Sequence, residues 1–101
     1  MKDKFDLIAI KEIRSQLEWI QAKAIQHYHD DPEAFDTIDH LARVAGMFAS
    51  VTEQYIENDY IETGNPQNYI RAKLSTAYDN VKSYNDEKNK QKNPNAITWE
   101  L

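Results

Sequence analysis

Between Asp31 and Gly64 the sequence carries a helix-start signal, a helix-stop signal and an unbroken apolar stripe, and no other feature limits the fold as much. Asp31-Pro32-Glu33 offers an N-cap acceptor, a proline where a missing N–H costs nothing, and an acid in the electropositive first turn. Thr63-Gly64-Asn65-Pro66 offers a glycine able to take the left-handed conformation that ends helices, with a proline just beyond. Between them Ile38, Leu41, Val44, Ala45, Phe48, Val51, Thr52 and Tyr55 share one broad face, and Asp36, Asp39, Arg43, Glu53 and Glu57 lie opposite. Gly46, in mid-helix, is expected to permit a close backbone approach or a bend, since glycine there costs about 1 kcal/mol relative to alanine.

Two further helices follow from the same periodicity. Asp3 or Asp6 can cap a first helix whose seam is Ile10, Ile13, Leu17, Ile20 and Ala24, and His29-Asp30-Asp31 leaves room only for an antiparallel return. Asn65-Pro66 starts a third helix with the seam Ile70, Leu74, Ala77, Val81 and Tyr84, and the polar run after Asn85 is expected to fray. The fold class is therefore all-α: an up-down-up three-helix bundle of long, coiled-coil-like helices at about 4–29, 32–62 and 66–88. It occupies residues 1–92 and is followed by an extended C-terminal tail, residues 93–101.

Two glycines and three prolines in 101 residues favour long helices over a many-turned sheet, and no cysteine is present for disulfides, thiolate ligands or a thiol nucleophile. No apolar run approaches a membrane span, so a soluble, cytoplasmic chain without a membrane partner is expected. The net charge is −5. Residues 32–62 hold seven acids against Arg43, while residues 66–92 hold six bases against three acids, so the second and third helices complement each other. An acidic surface without a clustered basic face makes nucleic acid an unexpected direct partner.

Candidate sites are few. Phe5, Ile8 and Trp19 fall away from the first helix's seam, and Ile97, Trp99 and Leu101 alternate strictly in the tail. These six form the expected partner-binding set, for copies of the same chain or for a client protein, and the mismatch of helix lengths favours a homo-oligomer; the alternative is that the first helix lies between the other two or under a tail docked on its own bundle. An alternative surface is the acidic-aromatic run Glu53, Tyr55, Glu57, Asp59 and Tyr60, which could imitate nucleic acid toward a basic groove on a target protein. A third reading takes His27, His29, Asp30 and Asp31 at the first turn, with Asp36 and His40 at i,i+4, as metal ligands of an enzyme; His27 and His29 are two apart and cannot share a helix face. No nucleophile elbow or phosphate loop occurs, so no catalytic residue and no cofactor are expected. The leading expectation is a non-enzymatic adaptor or assembly chaperone. Richness in Asn, Lys, Ile and Tyr is the composition of small accessory proteins of AT-rich bacteria and their phages.

Overall fold

A computed structural model describes residues 5–91, and among these the chain is an all-α, up-down-up three-helix bundle. Helix α1 spans Leu7–Gln26, a single 3-10 turn spans Tyr28–Asp30, α2 spans Pro32–Asn58 and α3 spans Pro66–Gln91. Each start is fixed by a side-chain cap. Asp6 Oδ1 accepts from the Ile8 amide at 3.1 Å, Asp31 Oδ1 from the Ala34 amide at 3.3 Å, and Asn65 Oδ1 from the Asn68 amide at 3.2 Å.

The helix ends differ from the sequence expectation. α2 stops at Asn58, because Asp59 takes the left-handed conformation (φ 64°) and returns its N–H to the Tyr55 carbonyl; neither glycine has a positive φ. Gly64 therefore lies in the connection and does not terminate the helix. α3 continues past the expected fraying point to Gln91, with Lys88 and Lys90 against the negative end of its macrodipole and Lys82 paired with Asp86 at 3.3 Å. α1 closes at Gln26, and the 3-10 turn carries the chain into α2. The tail residues Ile97, Trp99 and Leu101 lie outside the described residues.

α2 is the middle helix. It packs on α1 and on α3, and α1 and α3 do not pack on each other. The sequence pattern left room for α1 in the centre; in the structure α2 takes that place. The seams are narrow. Among the described residues only Ile10, Ala24, Ala42, Ala49 and Ala77 are buried, and no large side chain is fully buried. Alanines at a helix contact let the axes approach to the short end of the usual 8–10 Å range. The result is elongated, 56 × 28 × 23 Å, with a radius of gyration of 17.4 Å. A compact chain of this length would have a radius of about 13 Å.

Candidate interaction surface

Positions around α2 advance by about 100° per residue, which divides the helix into four sectors. One sector meets α1. Phe35 lies beside Ala24 and Ile25, Ala42 beside Leu17, Glu53 pairs with Arg14, and Glu57 pairs with Lys11 at 3.4 Å. A second meets α3. Asp36 Oδ2 accepts from the Asn80 amide at 2.8 Å, and Met47 lies near Tyr69.

The two remaining sectors are unlike each other. On one side lies a polar depression of about 220 Å³ lined by Arg14, Gln21, Arg43, Ser50 and Tyr69 among others. Arg43 Nε donates to Asp39 Oδ1 at 3.0 Å, and the Gln21 amide, turned so that its oxygen faces the guanidinium, accepts from Nη2 at 3.0 Å. Burial lowers the pKa of Arg43, but the hydrogen bond and charge of Asp39, followed by Tyr69, outweigh it and hold the pKa above its ordinary value. This side is a satisfied ionic network open to water.

The other side is apolar. Leu41, Phe48 and Tyr55, spaced by seven, project between α1 and α3 and remain 45%, 56% and 39% exposed. On α1, Arg14 and Gln21 lean toward the polar depression; Ile13 and Ile20, one position before each, are turned about 100° the other way and are exposed. On α3, Leu74 and Val81 flank the same side, and Val81 shares a shallow groove of about 470 Å³ with Ala34 and Ile38. From Ala34 to Ile56 the open sector of α2 (Ala34, Thr37, Ile38, Leu41, Ala45, Phe48, Thr52, Tyr55) carries no charge.

These positions were legible as apolar seams, but the seams were expected to close on each other. In the structure α1 uses Leu7, Ile10, Arg14, Leu17, Gln21 and Ala24 toward α2, so Ile13 and Ile20 leave the expected core. The expected partner-binding residues Phe5, Ile8 and Trp19 are exposed, with Ile8 and Trp19 on the side of α1 away from α2. The Trp19 ring is partly covered by the Lys23 ammonium, 5.6 Å from its centroid.

The acidic-aromatic run does not form one face. Glu53 and Glu57 are paired with bases of α1, Tyr55 is on the open apolar side, and Tyr60 donates to Glu62 at 3.0 Å beyond the helix. Of the histidines, His27 sits 3.3 Å from Asp30 at the exposed turn, while His40 falls with Asp36 and Asp39 in a group whose ligand atoms lie within 4.8 Å of one another. The group's members already have partners. His40 Nδ1 donates to the Asp36 carbonyl at 2.8 Å, Asn80 donates to Asp36 Oδ2, and Arg43 donates to Asp39 Oδ1, so the group is tied into the packing of α2 and α3.

Fold and surface together define an amphipathic layer of three helices, polar on one side of α2 and apolar on the other. Comparison with family models, with curated proteins and with solved structures finds no match. No helix among the described residues is long and apolar enough to cross a membrane.

Proposed function

We propose that this chain is a non-enzymatic protein-interaction module, an adaptor or assembly factor that works by covering its apolar side with protein. The observation that carries the reading is the contrast between a buried core of one isoleucine and four alanines among the described residues and an exposed apolar face built around Leu41 and Phe48, whose α2 positions between Ala34 and Ile56 carry no charge. Isolated surface apolar residues are ordinary, but a contiguous apolar patch spread over three helices marks an interaction site. Burial would favour association by about 25 cal/mol per Å² of apolar surface removed from water. The six residues expected from the sequence, Phe5, Ile8, Trp19, Ile97, Trp99 and Leu101, remain part of this proposal as a second contact region on the far side of α1 and in the tail.

The test is a matched pair of variants. Phe48→Glu places a charge at the middle of the apolar side, and Glu18→Gln alters the opposite, solvated side; circular dichroism establishes that both keep their helices. Loss of higher-mass species, with itself or with a purified partner, in Phe48→Glu but not in Glu18→Gln is the expected result. Unchanged association in both variants overturns the assignment of this face.

A further inference from the structure

The apolar side of α2 fits one occupant best. We infer that it is a second copy of this chain, joined through a two-fold axis that passes close to Phe48. This rests on the interaction-surface reading above and adds the partner's identity. Three observations point to it.

The first is breadth. The exposed apolar residues run from the level of Ile38 and Val81 to that of Ile13 and Tyr55. That is eighteen residues of α2, about 27 Å at 1.5 Å per residue. Across the layer the face extends from α1 to α3, about 20 Å for two interaxial spacings. A single docked helix, about 10 Å wide, would leave half of it wet. A second three-helix layer has a face of matching width. The projected area is about 540 Å² per protomer, or about 1,080 Å² for the pair, and side-chain relief raises the accessible area lost toward the 1,200–2,000 Å² of stable, specific interfaces.

The second is self-complementarity. A two-fold interface opposes each surface to itself, so any charge at its centre would meet its own kind near the axis. The open sector of α2 has none between Ala34 and Ile56, whereas the polar side of the same helix carries Asp36, Asp39 and Arg43. Phe48 projects beside Ala45, a large residue next to a small one, so a copy turned about an axis at the level of Phe48 lets the two rings pass side by side, each toward the other chain's Ala45. Leu41 and Tyr55, seven residues to either side, then exchange places. Antiparallel alignment of the two α2 helices also opposes their macrodipoles.

The third is the surface the chain exposes alone. Among the described residues the buried core is one isoleucine and four alanines, while Ile13, Leu41, Phe48, Leu74 and Val81 lie open. A chain with so little of its own core covered gains most from a partner that is present wherever it is made.

Light scattering of the full chain tests this, with single-cysteine variants as the positional readout, since the native sequence has no cysteine. The expected mass is twice 11.8 kDa. Phe48→Glu is expected to weaken dimerisation at least 100-fold, and Glu18→Gln, on the solvated side, to leave it unchanged. Should Phe48→Glu fail to fold, oxidation of Phe48→Cys still decides the matter. It is expected to cross-link with itself, whereas Leu41→Cys and Tyr55→Cys cross-link only when mixed. A dimer kept in Phe48→Glu, or one without cross-linking at position 48, overturns the proposed axis. A wild-type chain that is monomeric at every concentration overturns the dimer. If in that case Phe48→Glu still abolishes binding of a foreign protein, the interaction reading stands without the dimer; if it changes nothing, both fall.

Discussion

At Gly46 an added methyl group would meet no atom within 4 Å, so the glycine makes no room for a neighbouring backbone. The sequence suggests such a close approach, because glycine in a helix interior otherwise only costs stability. With that reason absent and the backbone helical, Gly46→Ala is expected to stabilise the fold by about 1 kcal/mol, read as a higher urea midpoint at unchanged m-value. Gln54 behaves in the opposite way. Its Oε1 accepts from the Glu62 and Thr63 amides at 2.7 and 3.0 Å, and its Nε2 donates to the Thr63 hydroxyl at 2.7 Å. One side chain thus fastens the connection between α2 and α3. Gln54→Ala is expected to cost about 1–2 kcal/mol. Amide exchange at Glu62 and Thr63 should quicken well before the rest of the molecule responds. Nothing in the periodicity singles out Gln54, since its partners lie eight and nine residues away across a loop whose path the sequence pattern does not set.

Helices α1 and α2 are held by small residues and by ion pairs at the rim. Ala42 and Ala49, seven apart, face α1, where Ala24 is also buried, and Arg14 reaches Glu53 beside them. Adding bulk there should force the helices apart. Ala49→Leu is expected to destabilise by about 1–3 kcal/mol, measured by thermal or urea unfolding. The exposed Ile8→Ala, on the opposite side of α1, should cost far less in the same measurement. Helix starts were legible in the sequence because an N-cap is a local device: Asp6, Asp31 and Asn65 each bond an amide two or three residues on. The end of α2 was misread because two signals competed, and the nearer one, Asp59 in a left-handed conformation, closes the helix before Gly64 is reached.

For the molecule as a whole, the inferred dimer would couple folding to association, because the core of the single chain is thin. If folding and dimerisation are coupled as inferred, the melting temperature should rise with protein concentration, because mass action favours the species that binds. Calorimetry over a hundredfold range of concentration checks this, and a melting temperature independent of concentration would show that the layer is stable alone. Phe48→Glu should remove the concentration dependence. The polar side is expected to contribute little to that behaviour, since Arg43, Asp39 and Asp36 already have partners within the chain.

The sequence by itself determined three helices, their starting caps and which residues share an apolar stripe, because capping and a 3.6-residue period are set by neighbours within one or two turns. Only the tertiary structure decided how each helix is rotated about its axis. The alanines, being small, allow the closest approach and take the internal seams, and the larger Ile13, Leu41, Phe48, Leu74 and Val81 are left on the open side. A stripe of apolar residues must leave water, but its period is the same whether the surface that covers it belongs to the same chain or to another.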